Sequence, residues 1–411
     1  MRRRLGRDAW LAACSLVLAI AGWSVRSSLL ALAGMLGMAA TGLLYLWQRD
    51  CLVGVSYHRR LSQRRALFGD EVLLEVELIN DKLLPLPWLH IEDIVPRELT
   101  FRGGTLAPGR SGLVRTLPHL VPMLPYQRLT GRMTIVCDER GAHTFGPAEL
   151  ESGDPLGYRR RSRRESESQE LLVFPKIFAL APVAATSRML LGEHRAAGRL
   201  LGDPSRLSGV REYRTGDPLR HLHWRATART NDLLVRKFEP TARLRAAIFL
   251  DTNVTELRGW TIDRPRLEFT IAVAASIAAE LTGRGIATGL FSTGTVDGYA
   301  IARAPMSSPD TLSHLLELLA RASPLGSLQL AELITLHAGG LPHGTSVVVV
   351  AADFPEATLI ALNDLRRRRS VTAVTVVSDK GVPPPPESVD ARLFARFSDD
   401  WKSRTSLELA V

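Results

Sequence analysis

Positions 9 to 25 are apolar except for Ser15, Gly22 and Ser24. As a helix that run spans about 26 Å, the depth of a bilayer core. A second run of similar reach extends from Leu29 to Trp47, and only "RSS" separates the two. So short a link permits only a tight hairpin, so the pair is expected to be two antiparallel spanning helices. A basic start before an apolar stretch also describes a cleaved leader. The second run favours the hairpin.

From Gly69 the period falls to two. In "DEVLLEVELIND" Val72, Leu74, Val76 and Leu78 point one way, with charges at several intervening sites, which predicts a half-buried strand. "WLHIEDIVP" and "RLTGRMTIVCDERGAHTFG" continue the theme, and a small antiparallel β-sandwich is expected over 51–178. "YRRRSRRESESQE", 158 to 170, is read as an exposed connector, with its basic half able to lie on anionic lipid as the alternative. Residues 179–243 are read as a linker with a dense polar tract. From 244 to 411, apolar runs alternate with helical patterns, so an α/β domain with a parallel sheet is expected. Its strands are "RAAIFLD", "IATGLFST", "YAIARAP", "TSVVVVAADF" and, as the last clear one, "VTAVTVVS". Ser308 before Pro309 is expected to cap one helix, and Ser327 to open the next. The fold class is therefore multidomain: two transmembrane helices over 1–50, the sandwich, and the C-terminal α/β domain.

Composition narrows the function. A net charge of +10 admits nucleic acid, anionic lipid or an acidic partner. Cys14, Cys51 and Cys137 are too few and scattered for a disulfide framework and fit a reducing compartment. Arg2, Arg3, Arg4 and Arg7 precede the first apolar run and Arg49, Arg59, Arg60, Arg64 and Arg65 follow the second, with Arg26 alone between. Both ends of the hairpin should therefore face the cytoplasm, giving a multi-pass protein of the inner or plasma membrane whose bulk is cytoplasmic.

Two strands of the α/β domain end in aspartate, where such sheets place ligands. In "DTNVTEL" Asp251, Asn253 and Thr255 are two apart and supply carboxylate, amide and hydroxyl oxygens; Ser327 and Asp353 can join them. Hard oxygen donors suit Mg²⁺, while the alternative is that these residues cap helices. The tract "REYRTGDPLRHLHWRATARTNDLLVRKFEP", 211 to 240, offers three readings. Asp217 and Pro218 are good first residues of a helix over 218–230, which would turn His221 and His223 to opposite sides and count against a metallohydrolase using Asp217. On that helix Arg225 and Arg229 share a face with His221 and Trp224, an arrangement open to nucleic-acid stacking or to a structural network with Glu212, Asp217 or Glu239.

The same tract resembles the signature of the bacterial domain of unknown function 58. Arg211, Glu212, Tyr213, Gly216, Asp217, Arg220, Trp224, Ala228, Arg229, Phe238 and Glu239 carry the likeness, and "SGDPLGY" resembles the turn that precedes it, with Leu156 for a phenylalanine. The resemblance implies a C-terminal domain similar to von Willebrand factor type A and an association with MoxR-type AAA+ ATPases and with membrane or periplasmic transglutaminase-like proteins. It also implies a metal-ion-dependent adhesion site, with Asp251, Asn253 and Thr255 as the first element, Ser327 for the threonine and Asp353 for the last aspartate. Asn253 departs from that pattern by replacing a hydroxyl with an amide. The expected role is a membrane-anchored, cytoplasm-facing scaffold acting with such an ATPase in the assembly or maturation of other proteins, with no catalytic residue assigned. A metal-dependent hydrolase and a nucleic-acid binder are the alternatives. A reporter fused after Val411 should read as cytoplasmic, and an extracellular readout would reverse the orientation.

Overall fold

The computed structural model describes residues 5–103, 106–108, 115–155, 157, 159–181, 207–213, 222–230, 232–238, 244–254, 261–306, 308–324, 326, 328–378, 389 and 391–410. The chain forms two compact units, Met1–Val173 and Phe174–Val411. The first therefore takes in both the N-terminal helices and the β domain, and the second begins shortly before the boundary expected at 178/179.

Helices α1 (Leu5–Ser24) and α2 (Ser28–Asp50) pack as the expected hairpin. Small residues set their approach: a Cβ on Gly34 would sit 2.3 Å from the Ala19 backbone nitrogen, and one on Gly22 would sit 2.2 Å from that of Ala31. So close an approach of two helix backbones is open only to residues without a side chain at the contact. Among the described residues, α2 alone is long and apolar enough to cross a membrane; the apolar part of α1, Trp10–Ser24, is shorter.

The rest of this unit is β1 (Val55–Leu61), β2 (Arg65–Ala66), β3 (Glu71–Asn80), β4 (Leu86–Val95), β5 (Thr100–Arg102), β6 (Ala107–Pro108), β7 (Arg115–Met123), β8 (Arg128–Val136), β9 (Gly141–Phe145), β10 (Ala148–Gly153), β11 (Arg160–Glu165) and β12 (Gln169–Val173). They form sheets ordered β1-β3-β8-β5, β11-β10-β4-β7-β6 and β2-β12-β9. The alternation in β3 is realised, with Val72, Leu74, Val76 and Leu78 buried in one core. The expected connector at 158–170 is corrected: β11 pairs antiparallel with β10 as an edge strand. Its backbone finds partners while Arg160, Arg161 and Arg164 are exposed along it, the usual charged edge of a sheet.

Three cations close the carboxyl end of α2. Lys82 Nζ donates to the carbonyls of Asp50 (3.0 Å), Cys51 and Val53 (2.6 Å). Arg161 Nη1 donates to the carbonyl of Arg49, and Arg163 Nη1 to that of Leu52 (2.9 Å). These satisfy acceptors that a helix end leaves open and complement its dipole. Burial lowers the Lys82 ammonium to about 8. Deeper in the same unit, Arg59 and Asp93 form a buried ion pair. Tyr57 Oη also donates to Asp93 (2.7 Å), and Arg59 Nη2 donates to the carbonyls of Phe145 (2.9 Å) and Glu167 (3.1 Å). One guanidinium thus joins all three sheets and the loop before β12.

In the second unit, β14 (Leu207–Glu212) and β15 (Leu234–Phe238) pair as an antiparallel ribbon, with α3 (Trp224–Thr230) between them in sequence. The helix expected over 218–230 is shorter, because Leu222 instead bridges to Val235; residues 214–221 lie outside the described residues. The main sheet uses β13 (Ala179–Ala181), β16 (Arg245–Leu250), β17 (Ala287–Val296), β18 (Tyr299–Met306), β19 (Thr345–Ala351), β20 (Val371–Ser378), β21 (Ala391–Phe397) and β22 (Ser406–Ala410). The order is β13-β22-β21-β20-β19-β16-β17-β18. Strands β17, β16, β19, β20 and β21 run parallel, and β18 is an antiparallel edge. Numbered from β16, the stretch from β18 to β21 reads 3-2-1-4-5-6, the doubly wound order with its switch point between β16 and β19.

Helices α4 (Arg264–Gly283) and α5 (Thr311–Arg321) cover one face; α6 (Leu330–Ala338) and α7 (Glu356–Arg366) cover the other. Two helix starts differ from expectation. The first turn of α5 begins after Asp310, since Ser308 and Thr311 close a turn on each other ahead of it. The N-cap of α6 is Gln329, in a capping box with Glu332, rather than Ser327, which lies outside the described residues.

Replacing Asp93 with alanine would strand a buried guanidinium. The Asp93→Ala chain in detergent is expected to lose about 3–5 kcal/mol in chemical denaturation, and a loss below about 1 kcal/mol would mean that the pair is dispensable.

Candidate functional site

The carboxyl ends of β16 and β19 lie side by side and bring Asp251 and Asp353 to the switch point. Asp251 continues β16 by one residue, its N–H donating to the Val350 carbonyl at 2.9 Å. Its carboxylate is 9% exposed as a residue and is held from two sides. Oδ1 accepts from the backbone N–H of Asn253 (3.0 Å) and from Thr293 Oγ1 (3.0 Å) on β17. Thr293 in turn accepts from the Thr252 N–H (2.9 Å) and lies 3.1 Å from the Thr252 hydroxyl. The loop after α5 packs closely on this point, since a Cβ on Gly326 would fall 1.7 Å from the Thr293 carbonyl oxygen.

Asn253 is exposed, and its Nδ2 reaches the Leu328 carbonyl (3.4 Å). Asp353 is exposed as well. Thr255 and Ser327 lie outside the described residues. Of the five oxygens predicted to gather, the structure therefore places Asp251, Asn253 and Asp353 at one end of the sheet. It adds Thr252 and Thr293, which sequence spacing missed. Alternation from Asp251 skips Thr252, and Thr293 is 42 residues away on a neighbouring strand; its signal was only a hydroxyl in "LFSTGT" near the strand end. Among the described residues no group of three or more His, Cys, Asp or Glu side chains is placed to hold a metal ion. The crest offers two carboxylates with hydroxyl and amide oxygens.

Burial raises the Asp251 carboxyl above its ordinary range; the bonds from Asn253 and Thr293 oppose the rise, and the Asp353 charge adds to it. Behind the crest, Arg266 is buried on the first turn of α4, with Nη2 donating to the carbonyls of Ala352 (3.2 Å) and Val376 (2.8 Å). Its backbone N–H is capped by Asp263 (3.2 Å).

The signature tract is described in part. Arg211 and Glu212 lie exposed on β14, and Tyr213 donates its N–H to the Leu233 carbonyl (2.8 Å). Trp224, 66% exposed, opens α3, and Arg225, Ala228 and Arg229 are exposed on it. Phe238 ends β15 opposite Leu207. Gly216, Asp217, Arg220, His221 and Glu239 lie outside the described residues. His223 occupies the N-cap of α3, where Nδ1 accepts from the Ala226 N–H (3.1 Å). Leu234 N–H donates to Thr227 Oγ1 (3.1 Å), fastening α3 to the ribbon. The Nδ1 of His223 is thus engaged as a helix cap, and its other ring nitrogen takes no part in that bond.

The ribbon and the α/β core define the matched region: residues 209–386 match the family described as Protein of unknown function DUF58. The chain is also similar to the Uncharacterized protein YeaD of Bacillus subtilis (strain 168), at 24% identity over 242 residues. That alignment covers 57% of this chain and 55% of the relative, so it spans about half the length of the curated protein it matches. Among solved structures, the C-terminal domain of wzt aligns with 30% of this chain and 75% of its own at 9% identity, with a TM-score of 0.21. The alkylpurine DNA glycosylase AlkC of Pseudomonas fluorescens aligns with 40% of this chain and 42% of its own at 10% identity, with a TM-score of 0.19. Both likenesses are too slight to define a fold.

The raised Asp251 carboxyl has a definite sign in stability. A folded-state acid that binds its proton more tightly than the unfolded chain destabilises the fold increasingly as pH climbs through the window between the two values. The penalty is absent below the ordinary aspartate value near about 4 and complete above the raised one. Asp251→Asn keeps the acceptor oxygen and removes the charge. In thermal unfolding without divalent ions it should be more stable than the parent at pH 7, with the difference vanishing toward pH ~4; a variant less stable at pH 7 would contradict the assignment.

Proposed function

We propose that this protein is a membrane-anchored scaffold that binds partner proteins through the crest of its C-terminal α/β domain. The observation that carries the reading is the pairing of Asp251 and Asp353 across the switch point of a 3-2-1-4-5-6 sheet with an antiparallel third strand. That is where open α/β sheets take ligands. The domain is read as von Willebrand factor type A-like. Two carboxylates, one of them raised by burial and by the other's charge, make a place where a divalent cation such as Mg²⁺ would relieve repulsion. Asp251 and Asp353 would hold it, with hydroxyl or amide oxygens from Asn253, Thr255 and Ser327, and an acidic partner side chain would complete it. A metal bound there supplies a positive centre for that carboxylate; the chain's residues orient it and fix its depth.

The N-terminal helices would form a two-span anchor with the bulk of the chain in the cytoplasm, as the arginine distribution favours. The exposed signature surface around Arg211, Glu212, Trp224 and Arg229 would be the second docking face. Its partner is read as a MoxR-type AAA+ ATPase, the association implied by the resemblance in the tract, and the joint role as assembly or maturation of other proteins.

The test captures partners from native membranes on the detergent-solubilised full chain, with Mg²⁺ or with chelator. Asp251→Ala should lose the Mg²⁺-dependent partners and Trp224→Ala should lose the ATPase. Retention of every partner by Asp251→Ala, with no Mg²⁺ uptake by the parent in a titration, would end the metal-dependent reading.

A further inference from the structure

A cavity of about 510 Å³ lies in the helical hairpin, between the first half of α1 and the last half of α2. This is the size range of pockets that hold small molecules. Ala13 and Leu16 line it from α1; Met38, Gly42 and Tyr45 line it from α2. Its origin is in the glycines. Gly22 and Gly34 are filled by the facing backbone, whereas a Cβ on Gly42 would meet nothing within 4 Å. The helices are therefore in contact along one part of the hairpin and leave an apolar groove in the other.

The groove occupies the end of the hairpin that joins the β body. From Met38 to Tyr45 it follows α2 for about 10 Å, less than one leaflet of a bilayer core about 30 Å thick. Arg159 also lines it, contributed from the residue before β11. Beside Arg159, Arg161 is exposed on the edge strand and bonded to the carbonyl of Arg49 in the last turn of α2, whereas Arg160 between them is turned to Glu151 (3.5 Å) and the Trp88 ring. A slot for a hydrocarbon chain thus ends near two guanidinium groups, those of Arg159 and Arg161, at the carboxyl end of α2. Basic pockets between membrane helices on the cytoplasmic side are a known match for anionic headgroups, and arginine pairs with phosphate in a bidentate manner.

We propose that this groove is a binding site for one anionic phospholipid, with an acyl chain between α1 and α2 and its headgroup phosphate on Arg159 and Arg161. The charge of the mouth selects an anionic lipid over a zwitterionic one. The site rests on the reading of the hairpin as a membrane anchor and goes beyond it in specifying the lipid.

The test uses the full chain reconstituted in nanodiscs containing phosphatidylglycerol and phosphatidylcholine in equal amounts, then extracted into neutral detergent for native mass spectrometry. One phosphatidylglycerol should remain per chain, retained several-fold over phosphatidylcholine. Gly42→Leu, which fills the groove, and Arg159→Gln, which removes a charge at its mouth, should each lower that retention several-fold, with Arg159→Lys retaining part of it. Equal retention of the two lipids, retention unaffected by both Gly42→Leu and Arg159→Gln, or crosslinking from position 42 to a protein partner would overturn the proposal. Resistance to alkaline carbonate extraction is measured alongside. Release of the parent chain by carbonate would defeat the membrane anchor itself, whereas an inserted chain with no lipid preference would defeat the lipid site alone.

Discussion

Strand β16 has no polar face. Ala246, Ile248 and Leu250 enter one core, Ala247 and Phe249 enter the other, and all five are fully buried. A strand of this kind has to be covered twice, and the larger of these side chains contribute roughly 1.5–3 kcal/mol each when buried. Coverage from both sides requires helical crossovers, and crossovers keep the neighbouring strands parallel. The α4 crossover carries the chain from β16 to β17, and the later α6 segment returns it to the other side of β16 as β19. The switch point, with Asp251 and Asp353 at the ends of neighbouring strands, follows from that single requirement.

What could be seen from sequence follows the same physics. The strands that became the middle of the sheet were legible because double burial writes an uninterrupted apolar run, as in "SVVVVA". Strands β21 and β22 escaped because each buries one side. Leu393, Ala395 and Phe397 are buried while Arg396 is exposed between them, and β22 shows the same alternation over five residues. Strand β13 has three residues and a partner more than 220 positions away, so nothing local marks it. At the crest, the two aspartates were legible because strand ends announce themselves. The bond from Thr293 to Asp251 was not, since a hydroxyl inside an apolar strand looks the same whether it supports a carboxylate or only its own backbone. The cap that His223 Nδ1 gives α3 was equally hidden, because a histidine in a charged tract carries no mark of the backbone N–H it will accept from.

The excess of arginine also has an internal use. Arg59 holds the Phe145 and Glu167 carbonyls; Arg161 and Arg163, with Lys82, hold those at the end of α2; Arg266 holds Ala352 and Val376; and Arg369 holds Leu341 and Pro342. A guanidinium has five donors and no acceptor, so it can collect several carbonyls that the ends of helices and strands leave open. Part of the arginine content that composition alone would assign to an external polyanion thus serves the backbone. Arg225 and Arg229 on α3 are among the exposed arginines that carry no such bond to a carbonyl in this set.

Arg266 gives the crest a property that its loops lack. One guanidinium spans from the first turn of α4 to the carbonyl before Asp353 and to a second carbonyl near the end of β20. It acts as a gauge block: the distance between the segment that follows Asp251 and the segment that carries Asp353 is set by hydrogen bonds, independent of how many residues either loop contains. Insertions in those loops can therefore change what the crest touches while the two carboxylates keep their spacing.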